Sequence, residues 1–332
     1  CIMLSNMEKV KNIINIFGFG AFGSAIANAL NRNPDNIVYI SDPNIKNNND
    51  IYSVLNSSVK INLDYSRIKI FDGNFIKNSF IFLALPSKDV KFWVYDNLNK
   101  IPKTVTIVNL SKGFNSDGEI IFSFLEKNFK FNDVLSIKGP SFAEEIKRGY
   151  PTLLTVTYNS RIEYQIIEHV KSIFNDTNIL LEFNTDYIGV EVLSVLKNIY
   201  SIFLGIVDAK FDAVNTTFFV FTKSLKEIET LLVMYKGNKV SLLSAAGIGD
   251  FALTSLNDMS RNRTFGLFVG KGFYDKRNKH SVLVEGLRSI ELVYNKAVAK
   301  NKIDELPILN FLYGIFFENK DINELNNLLF SL

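Results

Sequence analysis

Residues 12 to 33 read "NIINIFGFGAFGSAIANALNRN", and this stretch decides the fold. A short apolar run precedes three glycines spaced as GxGxxG, and apolar residues at helical spacing follow them, which predicts a strand, a tight turn and a helix. In this setting Gly18 permits the turn, Gly20 lets the backbone approach a pyrophosphate, and Gly23 lets the helix pack closely on the strand. We therefore predict that a dinucleotide binds over the N-terminus of the helix.

The next predicted strand, "NIVYISDP", ends at Asp42, about 20 residues after the glycines, where acids of this motif stand. An acid at this place can accept hydrogen bonds from the adenosine ribose hydroxyls, which favours NAD(H) over NADP(H). An Asp-Pro dipeptide also simply ends a strand with a turn, and both interpretations stay open.

Strands and helices continue to alternate through "RIKIF", "SFIFLALPS", "TVTIVNLSKG", "VLSIKGPS" and "TLLTVTY". This alternation predicts an α/β protein with an N-terminal, Rossmann-type, doubly wound sheet. From about Asp186 the periodicity becomes helical, so we expect a mostly α-helical C-terminal domain, with helices near 216–236, 250–258, 261–270, 285–300 and 305–317. The predicted domains are residues 1–185 for the dinucleotide and 186–332 for substrate binding and catalysis.

Composition excludes several other classes of protein. Hydrophobic residues make up 47% of the 332 residues and the net charge is +3, which indicates a packed core and gives no sign of a nucleic-acid partner. Cys1 is the one cysteine, and His169 and His280 are the two histidines, so we expect no metal site and a reducing, cytoplasmic setting. No uninterrupted apolar run reaches about 18 residues and the N-terminal residues lack an extended hydrophobic region, so neither a membrane span nor a signal peptide is expected.

Two loops after predicted strands carry polar residues. Lys112 lies in "LSKGF", at the carboxyl end of a strand, where open α/β sheets bind ligands. Gly139 and Ser141 lie in "KGPSFAEEI", in a turn before a helix whose free N–H groups favour an anion or a polar substrate. Ordinary punctuation between strand and helix remains an alternative for either loop.

Lys197 lies within the most apolar helix of the second domain, in "VLKNIYSI". A lysine is rarely buried without a partner, and desolvation lowers its pKa toward the range useful for proton transfer. The alternative is a lysine that reaches the surface from the edge of the helix. That alternative is weakened because Asn198 follows directly and no acid is spaced for a salt bridge along the helix surface.

Residues 247 to 266 read "GIGDFALTSLNDMSRNRTFG" and predict a second polar group. Asp250 begins a helix, with Thr254 on the same face. Ser260 is a natural N-cap, which places Arg261 and Asn262 in the first turn of the next helix. Because a cation at a helix N-terminus is unfavourable without an anion, we favour a phosphate site over a solvated polar cluster.

Together these motifs resemble those of the NAD(P)-dependent glycerol-3-phosphate dehydrogenases, in order over nearly the whole chain. The resemblance implies reversible hydride transfer between the nicotinamide and C2 of dihydroxyacetone phosphate or sn-glycerol 3-phosphate, serving glycerophospholipid synthesis or linking glycerol to glycolysis. It implies that Lys197 is the catalytic proton donor and acceptor. The substrate is then bound by Lys112, Gly139, Ser141, Lys197, Asp250, Ser260, Arg261 and Asn262. The resemblance further implies that, in addition to the three glycines and Asp42, the cofactor site is lined by Ala21, Phe22, Lys112, Ala143, Arg261, Leu283 and Glu285.

The chain departs from the family pattern at a few positions. Ser41 stands where NADP-using members often carry a basic residue or histidine, and Lys223 stands where an arginine is common. A homodimer is an expectation from the family alone. Two alternatives stay open: a 3-hydroxy acid dehydrogenase of the same layout, which would not need Arg261, and a non-catalytic cofactor-binding protein, which would need neither Lys197 nor Asp250.

Overall fold

The computed structural model describes residues 11–56, 63–274 and 285–332. Within them one eight-stranded sheet has the order β3-β2-β1-β4-β5-β6-β7-β8. The first six strands run parallel, β7 runs antiparallel to β6, and β8 runs parallel to β7. The strands are β1 (Asn12–Phe17), β2 (Asn36–Ser41), β3 (Ile68–Ile70), β4 (Phe80–Leu83), β5 (Thr106–Asn109), β6 (Val134–Lys138), β7 (Thr152–Tyr158) and β8 (Ile179–Asn184).

Helices connect most of these strands, as the alternation of motifs predicts. Strands β2 and β4 flank β1 on opposite sides, so the strand order reverses at β1, where doubly wound folds open a crevice for a ligand. Strand β8 and the reversed direction of β7 were not part of the sequence prediction. The connecting helices are α1 (Ala21–Asn31), α2 (Asn48–Asn56), α3 (Val90–Asn97), α4 (Ile121–Asn128), α5 (Ala143–Arg148) and α6 (Tyr164–Phe174).

After β8 the described chain is helical. The predicted domain boundary at 185/186 falls between the end of β8 and the start of the next helix, and the division into two domains stays a prediction. Five of the helices lie close to their predicted ranges, whereas the last was not predicted. The helices are α7 (Tyr187–Phe211), α8 (Val214–Met234), α9 (Asp250–Ser255), α10 (Arg261–Gly270), α11 (Glu285–Ala299), α12 (Pro307–Phe317) and α13 (Leu325–Ser331).

Helix α7 is the core of the helical region. By length and composition it could cross a membrane, although polar residues interrupt its apolar sequence. Its most apolar 18 residues are 100% buried inside the protein, so α7 is apolar all round because other elements surround it.

Helices α7 and α10 touch through their backbones. A Cβ atom added at Gly205 would lie 2.3 Å from the carbonyl oxygen of Arg263, and one added at Gly266 would lie 2.1 Å from that of Ile202. Larger residues would push the helices apart. This close packing places the first turn of α10 beside the middle of α7, where Lys197 and Asn198 lie.

Candidate active site

The three glycines of the first turn have three different surroundings. Gly18 has φ +94°, and a Cβ there would lie 2.5 Å from the carbonyl oxygen of Ala84. A Cβ at Gly23 would lie 2.0 Å from the carbonyl oxygen of Gly18, so α1 packs directly on the turn. A Cβ at Gly20 would meet nothing within 4 Å, and Gly20 is the N-cap of α1. The residues therefore fit a dinucleotide: the packing is closed behind the turn and open where a pyrophosphate would approach.

Asp42 lies at the end of β2 against this turn. Its Oδ2 accepts a hydrogen bond from the Phe19 amide at 2.7 Å, and its Oδ1 accepts one from the Asn44 amide at 2.9 Å. The carboxylate therefore first holds the glycine turn and its own turn in place. Each oxygen keeps a second lone pair that a ribose hydroxyl could use, so a structural and a cofactor role are compatible here.

Lys112 follows β5 and extends into the space between the sheet and the helices. Its Nζ lies 3.4 Å from Ser141 Oγ, 3.8 Å from Asp250 Oδ2 and 5.6 Å from the centroid of the Phe22 ring. Ser141 Oγ in turn donates to the carbonyl of Gly139 at 3.1 Å, where φ is +143°. The loops after β5 and β6, the start of α1 and the start of α9 thus meet at this amine, and Ala143 begins α5 next to Ser141.

Lys197 is buried on α7 with its amine facing α9. Its Nζ lies 2.5 Å from Asp250 Oδ1 and donates to Thr254 Oγ1 at 3.3 Å. Burial lowers the pKa of Lys197 to about 7; the Asp250 carboxylate opposes this shift and the positive Lys112 adds to it. Asp250 itself is 1% exposed, and its Oδ2 makes no hydrogen bond within the described residues. The site therefore places an amine that can gain or lose a proton near neutrality beside a buried, unsatisfied acceptor.

The first turn of α10 is held against α7. Ser260 caps it by accepting a hydrogen bond from the Arg263 amide at 3.3 Å, which confirms the predicted N-cap. Asn262 Nδ2 donates to Asn198 Oδ1 at 2.9 Å, whereas Asn262 Oδ1 is buried without a hydrogen bond among the described residues. Asn198, the residue after Lys197, thus connects α7 to the polar first turn of α10.

The two arginines of "SRNR" have different surroundings. Arg263 forms ion pairs with Asp208 and, at 3.0 Å, with Asp258, and it donates to the carbonyl of Ser255 at 3.0 Å. The side chain of Arg261 is exposed and forms no ion pair within 4.0 Å among residues 11–56, 63–274 and 285–332. Of these two arginines, Arg261 is therefore the one whose guanidinium has no ion-pair partner in the described part of the chain.

Glu285 closes the site from α11. Its Oε1 accepts a hydrogen bond from Ser87 Oγ at 3.2 Å, and a Cβ added at Gly113 would lie 2.1 Å from the same oxygen. The carboxylate is also within electrostatic reach of Lys112, Lys197 and Arg261. Sequence reasoning gave no role to Ser87, although it ends the motif "LALPS". Leu283, the remaining predicted cofactor residue, lies outside the described residues.

A glycine turn that fits a dinucleotide and a buried lysine that can titrate near neutrality, with Lys112 between them, are the elements of a nicotinamide-dependent dehydrogenase. Comparison with known proteins identifies the family. Residues 13–163 match the N-terminal model, and residues 186–327 the C-terminal model, of NAD-dependent glycerol-3-phosphate dehydrogenase. The chain belongs to this family.

Relatives match over almost their whole length. The glycerol-3-phosphate dehydrogenase (NAD(P)+) of Thermoanaerobacter sp. strain X514 is 31% identical over 316 residues, which cover 93% of each chain. That of Mycoplasma mobile is 30% identical over 326 residues, which cover 94% of each. Among solved structures, glycerol-3-phosphate dehydrogenase from Coxiella burnetii superposes with a TM-score of 0.80 over 97% of this chain and 98% of that one at 23% identity, so it shares the fold.

These matches confirm the predicted fold class, the oxidoreductase activity and the use of NAD(P). They favour glycerol-3-phosphate dehydrogenase over the alternatives that the sequence left open, because both family models and the relatives named above carry that description.

Proposed function

We propose that Lys197 is the proton-transferring group of this glycerol-3-phosphate dehydrogenase, and that Asp250 and Lys112 set the polarity around it. The bound nicotinamide cofactor supplies or accepts the hydride at C2 of the substrate. During reduction Lys197 donates its proton to the carbonyl oxygen of dihydroxyacetone phosphate, which becomes the C2 hydroxyl of sn-glycerol 3-phosphate. In the reverse direction the neutral amine accepts that proton.

The observation that carries this proposal is the buried Lys197–Asp250 pair. Burial lowers the pKa of Lys197 to about 7, so both protonation states are populated near neutral pH and either direction of the reaction can use them. Asp250 Oδ2, which lacks a hydrogen bond, offers an acceptor to a substrate hydroxyl. Lys112, 3.8 Å from that oxygen, adds a positive charge that favours negative charge developing on the substrate.

The phosphate of the substrate is bound at the start of α10 in this proposal. Arg261 has an open guanidinium, and Ser260 and Asn262 flank it. The first turn of α10 contains no acidic residue, so a bound phosphate would supply the negative charge that an N-terminal cation and the helix dipole both favour. Gly139 and Ser141 would contact the substrate from the loop after β6.

The cofactor would lie over the glycine turn, along Ala21 and Phe22, with its nicotinamide toward Lys112, Ala143, Arg261 and Glu285. We propose NAD(H) as the preferred form because Asp42 repels the additional phosphate of NADP(H). Two unit charges about 4 Å apart in bulk water repel by about 1 kcal/mol, or roughly fivefold in affinity, which is the lower bound for this repulsion. A higher kcat/KM with NADPH than with NADH would place the ribose away from Asp42.

We further propose a cytoplasmic setting and a role in supplying glycerol 3-phosphate for glycerophospholipid synthesis or in linking glycerol to glycolysis. The absence of cysteines beyond Cys1 supports a reducing compartment. A homodimer is part of the same proposal and is tested by the mass of the protein in solution.

Oxidation of NADH in the presence of dihydroxyacetone phosphate tests the proposed function. We expect turnover with dihydroxyacetone phosphate and a much lower kcat/KM with dihydroxyacetone, which lacks the phosphate that Arg261 would bind. Equal rates with both substrates would contradict the phosphate site. No turnover with either substrate would contradict the proposed activity.

A further inference from the structure

A second buried lysine and carboxylate lie beneath the site, and no step of the proposed reaction uses them. Lys138 ends β6 and Glu191 lies near the start of α7. Lys138 Nζ lies 3.3 Å from Glu191 Oε1, and their side chains are 0% and 1% exposed. Burial lowers the pKa of Lys138, and the charge of Glu191 opposes that shift. The pair joins the sheet to the central helix of the helical region.

The pair also binds the chain where it leaves β5. Lys138 Nζ donates to the carbonyl of Ser111 at 2.5 Å and lies 3.5 Å from that of Asn109. Glu191 Oε1 accepts from Asn109 Nδ2 at 2.9 Å and from Ser136 Oγ. Asn109 Oδ1 accepts from the Ser111 amide at 2.9 Å. Both main-chain polar groups of Ser111, the residue directly before Lys112, therefore bind this one network.

Lys112 depends on this anchoring because its own contacts are long. Its amine is 3.4 Å from Ser141 Oγ and 3.8 Å from Asp250 Oδ2, so these contacts hold it weakly. The next residue, Gly113, has φ +105°, a conformation that disfavours a side chain. The main chain of Ser111, which Lys138 and Asn109 bind, therefore contributes to the position from which the Lys112 side chain extends.

The neighbouring strand anchors the other side of the site. Thr155 of β7 is the register partner of Lys138 in β6. Thr155 Oγ1 accepts a hydrogen bond from the Ala246 amide at 2.9 Å, in the turn that leads to Asp250. Adjacent positions of the sheet thus hold the segments that carry Lys112 and Asp250.

We propose that Lys138 and Glu191 are positioning residues that hold the main chain of Ser111 so that Lys112 reaches Asp250 and the substrate. The inference rests on the proposed function of Lys112. Stability alone does not account for the pair, because replacing a buried ion pair by uncharged groups of similar size is often neutral or stabilising. Holding the loop that carries Lys112 gives the Lys138 donor a function beyond stability.

The test compares K138M with the double variant K138M/E191Q. K138M leaves the Glu191 carboxylate buried without its cation, so we expect a lower Tm. The double variant removes that charge and should recover most of the Tm, but the methionine at position 138 cannot donate to the Ser111 carbonyl. We expect its kcat/KM for dihydroxyacetone phosphate to fall about 10- to 100-fold, as for a displacement of roughly 1 Å, with the Kd for NADH nearly unchanged.

Adding K112M to each background separates positioning from a structural role. If Lys138 acts through Lys112, K112M should lower kcat/KM much less in the double variant than in the wild type, because the two losses are coupled. Amide hydrogen exchange of residues 110–115 should also rise in the double variant, and this readout needs no activity. The matched control is E227Q, which alters an equally buried carboxylate elsewhere on the helices and should leave kcat/KM and this exchange unchanged.

The inference would be overturned if the losses of kcat/KM from K138M/E191Q and from K112M multiply independently. It would also be overturned if amide exchange at residues 110–115 is unchanged. A wild-type enzyme without turnover would instead contradict the proposed function, and the exchange of residues 110–115 would still decide whether Lys138 holds the loop. K138Q retains a shorter, neutral donor and should give an intermediate kcat/KM, which keeps the inference testable if the methionine variants fold poorly.

Discussion

Helix α7 contributes to two buried lysine–carboxylate pairs, and the contrast between them separates a group that reacts from a group that holds. Near its start, Glu191 meets Lys138, whose amine also faces two main-chain carbonyls. Farther along, Lys197 meets Asp250, and its other hydrogen bond is to the Thr254 hydroxyl. Asp250 also faces Lys112 in the crevice. The first amine contacts two main-chain carbonyls and one carboxylate, whereas the second contacts only side chains, the Asp250 carboxylate and the Thr254 hydroxyl.

Both buried lysines, Lys138 and Lys197, have a lowered pKa. Burial lowers the pKa of both lysines, so a lowered pKa does not by itself distinguish a catalytic lysine from a positioning one. What distinguishes them is the set of acceptors around each amine.

The largest expected effect is from Lys197→Ala. Because general acid–base groups contribute about 10² to 10⁴ in rate, kcat should fall by that factor, while the Kd for NADH should stay nearly unchanged because Lys197 lies outside the proposed dinucleotide site. Lys197→Arg should fail similarly, since guanidinium does not release its proton near neutral pH. Steady-state kinetics and NADH titration check both variants. A wild-type kcat in either variant would show that Lys197 does not transfer the proton, and Lys197 and Lys138 would then no longer differ in that role.

The next effect is from Arg261→Lys, which keeps the charge but loses the planar pair of donors suited to a phosphate. We expect kcat/KM for dihydroxyacetone phosphate to fall about 10- to 100-fold, with little change for dihydroxyacetone. Arg263→Lys is the matched control, because Arg263 already pairs with Asp208 and Asp258 and should affect Tm more than KM. Equal losses with both substrates would show that Arg261 supports the fold or the cofactor instead.

The smallest effect concerns a third buried carboxylate, Glu227, which lies away from the crevice. It accepts hydrogen bonds from the Ile308 amide at 2.6 Å, the Leu309 amide at 3.2 Å and Tyr200 Oη at 2.9 Å. Burial raises the pKa of Glu227 to about 7, and these hydrogen bonds oppose the shift. The folded protein therefore holds a proton that the unfolded chain releases.

The sign follows from that difference. The stabilisation that the protonated Glu227 gives is fully present below the ordinary pKa of a glutamate and is lost as pH rises to about 7. Between about pH 4.5 and 7 the Tm of the wild type should fall by up to about 5 °C more than the Tm of E227Q, with equal kcat. Thermal melts at several pH values check this. Parallel Tm curves would show that Glu227 is ionised throughout.

Features of the fold and the site that depend on local sequence patterns could be predicted from the sequence. The glycine spacing fixes the turn at Gly18, and the Ser260 cap fixes the start of α10, since both depend on residues close together in the chain. Strand β8 was not predicted because its one fully buried residue is Ile179, so it lacks a clear apolar pattern. The sequence also did not predict that Arg263 forms ion pairs while Arg261 is exposed, because Asp208, a partner of Arg263, lies far away in sequence.

The Lys138–Glu191 pair was the main omission. Glu191 is an acid within the same apolar helix as Lys197, and Lys138 is a lysine within a buried strand, so each was a visible signal. Their pairing depends on how α7 crosses β5 and β6, which a single sequence does not reveal. The same reason kept Ser87 from being linked to Glu285.

The pH dependence of both directions of the reaction tests the central claim most directly. With Lys197 as the acid and a pKa of about 7, kcat/KM for reduction of dihydroxyacetone phosphate should fall about tenfold per pH unit above pH 7, while kcat/KM for oxidation of glycerol 3-phosphate should rise through the same pH. K138M/E191Q should keep this limb near pH 7, because Lys138 holds Lys112 and transfers no proton. A reduction profile that stays flat to pH 9 would show that Lys197 remains charged and that another group supplies the proton.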